Sequence, residues 1–231
     1  MVARIAAAAR ASLPGQQVAV AHLDFTDPSV GVALTELAAA GARDVVVVPL
    51  LFAPGYHLRV DLPAAVAEVR AGLPWLSVTI AEPLGAARSD GEPDLLLDAL
   101  QARLAEQSGQ SGRYDAVVLA SAGSSDPLAR QAIEAVAGRW ADGLGRPVIP
   151  AYATAAQPTV AEAIGRLRDQ GFARVAVSGL FIAPGRLPEA VRRSATEAGA
   201  VVVAEPLGAD ARLVRLLARR ANRARAHSLT R

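Results

Sequence analysis

The chain has 231 residues, enough for one large α/β domain or two of about 100 residues each. Its formal net charge is only +2, and apart from three histidines every basic side chain is Arg; the arginines concentrated near the end, from Arg212 to Arg231, read as a solvated helix face and tail, with no aromatics interleaved among them as a nucleic-acid surface would have. It contains no Cys, which excludes disulfides, thiolate metal sites and iron–sulfur clusters and fits a reducing cytosol.

Taken in chain order, an Ala-rich helix is predicted over 2–12 and a strand over 17–23. A helix over 28–40 follows, then a strand over 44–50 that is apolar on both faces, as a covered parallel strand should be. Helix 61–72, strand 76–81 and helix 93–106 complete the first half. The stretch 107–113, Gln-Ser-Gly-Gln-Ser-Gly-Arg, reads as a linker. The second half alternates strand 115–121, helix 127–142, strand 147–152, helix 158–170, strand 173–179, helix 187–198, strand 200–204 and helix 209–224, with a frayed tail over 225–231. Pro28, Pro63, Pro127, Pro158 and Pro188 fall at the starts of helices. Strict alternation implies a parallel, doubly wound sheet. No apolar run reaches the roughly 18–20 residues of a membrane helix, and no signal-peptide pattern follows the start. A cytoplasmic protein is expected.

An internal repeat organises the chain. Asp27-Pro28-Ser29-Val30 answers Gln157-Pro158-Thr159-Val160, and Gly41-Ala42-Arg43-Asp44-Val45 answers Gly171-Phe172-Ala173-Arg174-Val175. Leu51-Phe52-Ala53-Pro54-Gly55 answers Phe181-Ile182-Ala183-Pro184-Gly185 at the same spacing. Glu82-Pro83-Leu84-Gly85-Ala86 then recurs identically at Glu205 to Ala209. The expected architecture is two flavodoxin-like parallel-sheet lobes, 1–106 and 114–224, with order 2-1-3-4 in the second. The second copy opens with a strand and a small-residue loop, Ser121-Ala-Gly-Ser-Ser-Asp126. The chain begins inside the first helix of the first copy, so that copy has no opening strand. A late start codon or a shortened chain would account for this, and so would a rearrangement. The flanking strands are expected to close up, to accept a strand from a second chain, or to stay loosely ordered. The protein is accordingly expected to be a monomer or a strand-sharing dimer.

Open α/β sheets bind ligands at the carboxyl ends of their strands. There the first copy carries His22-Leu23-Asp24, Tyr56-His57-Leu58-Arg59 and Glu82-Pro83. An imidazole at His57 with the Asp24 carboxylate could hold a divalent first-row metal with open positions for exchange. Backbone N–H groups at Gly123, Ser124 and Ser125 could cradle an anion, or could form a plain turn.

The stretch Pro49-Leu-Leu-Phe-Ala-Pro-Gly-Tyr-His-Leu-Arg-Val-Asp-Leu-Pro63 resembles the most diagnostic motif of the class II chelatases, the sirohydrochlorin cobalto-/ferrochelatase family in its long, two-repeat form. His22 to Pro28 and Ala122-Gly-Ser-Ser-Asp-Pro127 resemble two further motifs of that family, in the right order. The resemblance implies a lyase that inserts Co²⁺ or Fe²⁺ into sirohydrochlorin for cobalamin or sirohaem, with the metal as substrate and no organic cofactor. The chain is short of the family's first His-Gly-Ser loop, so weak or absent insertion is also expected. A chelatase-like tetrapyrrole- or metal-binding protein is the alternative. By the resemblance, His57 is metal ligand and proton acceptor, Asp24 is the active-site carboxylate in place of a Glu, and His22 is a candidate substitute ligand. Tyr56, Arg59, Gly123, Ser124, Ser125 and Arg186 are the candidates for holding a carboxylate-rich macrocycle. The second copy has no counterpart of His57 and is expected to act as scaffold. Neither nucleic acid nor membrane is an expected partner.

Overall fold

The computed structural model describes residues 1–23, 26–87, 92–108 and 113–229. Helix α1 (Val2–Ser12) is followed by α2 (Val30–Ala39), β1 (Asp44–Val47), a π-helical turn (His57–Asp61), α3 (Leu62–Gly72), β2 (Ser77–Ile80) and α4 (Leu95–Ser108). The second copy comprises β3 (Ala116–Ser121), α5 (Pro127–Leu144), β4 (Val148–Tyr152), α6 (Val160–Asp169), β5 (Val175–Gly179), α7 (Arg186–Glu197), β6 (Val202–Val203) and α8 (Ala211–Leu229). The segment 225–229, read as tail, continues α8. Ser29 and Thr159 cap α2 and α6 by accepting Val32 N–H and Glu162 N–H. Pro28 and Pro158 therefore lie just ahead of the caps.

The second lobe holds a four-stranded parallel sheet of order β4-β3-β5-β6, the 2-1-3-4 order of the sequence reading. Every residue of β3 is buried, as a central strand covered on both faces requires. One face packs Val118, Ala120 and Val177 against α6 and α7. The other packs Val117, Leu119 and Ala176 against α5 and α4.

The first lobe has a sheet of two strands, β1 and β2, in parallel register from Asp44↔Ser77 to Val47↔Ile80. The strand expected over 17–23 is not one. Among the described residues its one bridge is His22↔Ser29, with His22 N–H donating to the Pro28 carbonyl at 2.9 Å. Its counterpart β4 makes the equivalent bond, Tyr152 N–H to Pro158 O, also 2.9 Å. The two segments thus share this bond, but β4 has β3 beside it and 17–23 has no such neighbour among the described residues. Strand β1 also stops three residues short of the predicted end. Pro49 has no N–H to extend the ladder toward β2.

The lobes exchange helices. Helix α4, from the first copy, lies on β5 and β6, and α8, from the second, lies on β1 and β2. Leu96, Leu100 and Leu104 of α4 share one core with Val117, Leu119 and Trp140, together with Leu213, Leu216 and Leu217 of α8. Arg220 of α8 is only 5% exposed. It donates to Glu82 Oε2 and to the Ala86 carbonyl, both at 2.6 Å.

Candidate active site

After β1 the chain runs through Pro54 and Gly55 into the π-helical turn. Leu58 and Leu62 point into the apolar cluster of Val30, Leu34 and Val66. This fixes the turn and leaves His57 and Asp61 side by side on its outer surface. Leu62 N–H closes the turn on the His57 carbonyl. His57 Nδ1 lies 2.7 Å from Asp61 Oδ2. A carboxylate only accepts, so the proton shared on this edge sits on Nδ1, and Nε2 is on the opposite edge of the ring. Metal-ligating histidines are commonly oriented by such a carboxylate. Local π-helical geometry is itself frequent at functional sites. Tyr56 stands beside the pair, 62% exposed.

Arg59, two residues after His57, reaches into the second lobe. Its Nη2 is 2.6 Å from Asp126 Oδ2. Asp126 caps α5, its Oδ1 accepting Leu128 N–H at 2.9 Å. Gly123, Ser124 and Ser125 form the turn that leads into this cap. Ser124 Oγ accepts Asp126 N–H, and Arg130 donates to the carbonyls of Ser124 and Ser125. Gly123 adopts φ +96°, and a Cβ there would stand 1.8 Å from the Thr154 carbonyl oxygen. Only glycine fits that approach.

The remaining candidates lie elsewhere. Asp24 is outside the described residues. His22 is half-buried in the position that Tyr152 fills in the second lobe. Arg186 lines a cavity of about 390 Å³ between the ends of β5 and β6 and the start of α7, with Phe181, Val203 and Pro206. Arg192 on the same wall is paired with Glu189, and its guanidinium holds the Glu189 carboxyl below its ordinary range. Among the described residues no three His, Cys, Asp or Glu side chains come together in a way that could hold a metal ion.

Sequence reasoning missed Asp61, Asp126 and Arg220. The first had a signal, since His57 and Asp61 are four apart and one helical turn brings such pairs together. Asp126 stood in a quoted motif, but its bond to Arg59 spans 67 residues and no local pattern encodes it.

The family model described as CbiX matches this chain twice, over residues 1–107 and 116–224. The chain belongs to the CbiX family. The two matches are the two copies of the repeat. A sirohydrochlorin cobaltochelatase of Priestia megaterium is 26% identical over 185 residues, 76% of this chain and 58% of the relative. A sirohydrochlorin ferrochelatase of the same organism is 24% identical over 195 residues, 82% of this chain and 71% of the relative. A sirohydrochlorin cobaltochelatase of Saccharolobus solfataricus is 41% identical over 76 residues, 30% of this chain and 59% of the relative. The chain thus spans less than two thirds of the length of several of these relatives. In fold, SirB from Bacillus subtilis with Fe³⁺ superposes with a TM-score of 0.84 at 20% identity, covering 100% of this chain and 90% of that one. A two-lobed CbiX-family fold is thereby established, and among the described residues no helix is long and apolar enough to cross a membrane.

Proposed function

We propose that this CbiX-family chain inserts a divalent metal, Co²⁺ or Fe²⁺, into sirohydrochlorin. The observation that carries this reading is the His57–Asp61 pair at 2.7 Å, on a turn beyond the carboxyl end of β1. A chelatase must accept two pyrrole protons and present a metal whose ligands exchange. With its Nδ1–H committed to Asp61, His57 offers Nε2 for either task, and imidazole chemistry suits both near neutral pH. Tyr56 supplies an exposed aromatic face for the macrocycle. Arg59 places a guanidinium at the same mouth, where carboxylate arms would pass. Asp24 and His22 complete the proposed ligand set, and Arg186 offers a further carboxylate contact from the second lobe. In this reading the metal is substrate, and the protein works in the cytosol as a monomer or a strand-sharing dimer.

The test is an anaerobic insertion assay with sirohydrochlorin and each metal, followed by the change in tetrapyrrole absorbance. His57→Ala is expected to abolish insertion while leaving the thermal melt unchanged. Insertion by the variant at the wild-type rate would remove His57 from the mechanism. Binding of metal or tetrapyrrole by the wild-type chain without insertion would make it a carrier.

A further inference from the structure

The second copy has no counterpart of His57, yet its helix α5 is the bed on which the first copy's site loops lie. Gly55, two residues before His57, packs at the first turn of α5, where a Cβ would stand 3.9 Å from Ala129 Cβ. Arg59, two residues after it, is held by the α5 cap residue Asp126. Further along, a Cβ on Gly85 would stand 3.2 Å from Val136 Cγ2 and 2.2 Å from the Phe52 carbonyl oxygen, so the 82–86 loop is seated between α5 and the His57 loop. Arg139 of α5 fastens that loop by donating to the Gly85 carbonyl and to Asp94.

In this arrangement Asp126 has two separable jobs. One oxygen caps α5 through Leu128 N–H, and the other holds Arg59. Its side chain is 14% exposed and that of Arg59 47%, so the carboxylate end of the pair is shielded while the guanidinium end meets water and salt. The turn carrying His57 is anchored to its own lobe through Leu58 and Leu62, and Arg59–Asp126 is the ion pair that ties this turn to the other lobe. A macrocycle between the lobes must meet His57 at a fixed distance from the second lobe.

We propose that Asp126 is a positioning residue of the second lobe, which sets the orientation of the His57 turn through Arg59. This rests on the chelatase reading of the same site. The tie acts on the step in which metal and macrocycle meet, and local metal binding at His57–Asp61 does not depend on it.

Asp126→Asn separates the two jobs, because Asn caps a helix as well as Asp does but carries no charge for Arg59. The variant is expected to melt with the wild type and to bind Co²⁺ alone with unchanged affinity. Its kcat for insertion is expected to fall about 10–100-fold, as for an ångström-scale misplacement, with KM little changed. Arg59→Gln should show the same fall in kcat together with a raised KM, because it also loses its contact with the carboxylate arms, and adding Asp126→Asn to it should lower kcat no further. A lower KM with unchanged kcat in Asp126→Asn would mean that Asp126 competes with substrate for Arg59, and would overturn the proposal. A second readout needs no activity. Because the chain has no Cys, spin labels placed through Tyr56→Cys and Leu128→Cys report only the distance between turn and helix. That distance distribution should broaden in Asp126→Asn and in Arg59→Gln. An unchanged distribution overturns the proposal whether or not the wild type inserts metal, whereas a broadened one with an inactive wild type would count against the chelatase reading alone.

Discussion

Asp61 stands one turn beyond His57 and holds the Nδ1 edge of its ring at 2.7 Å, so the imidazole is presented in one tautomer. Removing such a carboxylate typically costs 10–100-fold in metal affinity. Asp61→Ala is therefore expected to weaken Co²⁺ binding by about that factor, with the fold intact. Isothermal titration with Co²⁺, alongside a thermal melt, checks it. Unchanged affinity would show that Asp61 has no part in metal binding.

The edge of β1 away from β2 gives a second prediction. By the alternation of a parallel ladder, Asp44, Val46 and Val48 direct their backbone groups to that side, where the second lobe has β3 against Arg174, Ala176 and Ser178. The amides of Val46 and Val48 are expected to exchange with deuterium faster than those of Ala176 and Ser178. Equal protection would mean that another strand pairs there, and size-exclusion chromatography would then tell whether a second copy supplies it.

Arg220 gives a third. Arg220→Ala removes charge-assisted bonds to Glu82 and Ala86 from a buried guanidinium. Glu82 is 57% exposed in its side chain, so its share is discounted. A loss of about 2 kcal/mol is expected, a melting temperature lower by about 4–8 °C. A melt within a degree of the wild type would contradict it.

The fourth concerns pH. The Tyr152 hydroxyl is buried with no hydrogen-bond partner among the described residues, and burial raises its pKa, helped by the nearby Glu134 carboxylate. A raised folded value means that the contribution is fully present below the ordinary value of about 10 and is lost as pH rises through the folded value. Tyr152→Phe should be neutral or slightly stabilising at pH 7, and should reduce the loss of stability above about pH 10. An alkaline melt series that is parallel for both proteins would refute this.

Much of this molecule was legible because its information is local. Paired motifs such as Glu82–Ala86 and Glu205–Ala209 disclosed the repeat, and the apolar run Val45–Val48 disclosed β1, whose valines are nonetheless only half-buried. The 2-1-3-4 order of the second lobe followed from topology rules. Segment 17–23 was misread because a strand needs a neighbour, and β-branched composition reports only a willingness to pair. The Gly123–Ser125 loop was legible only as a choice between cradle and turn, because glycine and serine look alike in both; the Thr154 carbonyl that makes Gly123 obligatory is 31 residues away. Arg220 shows the same limit. In sequence it is one of several arginines in α8, and only the exchange of helices buries it.

That exchange bears on how the protein comes to be made. One face of β1 and β2 is covered by α8, which belongs to the second copy and follows them far along the chain. On a ribosome, the first lobe's sheet therefore leaves the exit tunnel long before its cover exists, and α4 likewise waits for β5 and β6. Contacts between such distant parts of a chain form slowly and leave sticky surface exposed meanwhile. The first lobe should not complete its fold before α8 has emerged, so nascent chains of this protein ought to engage chaperones until then, and the folded lobes ought to unfold in a single step.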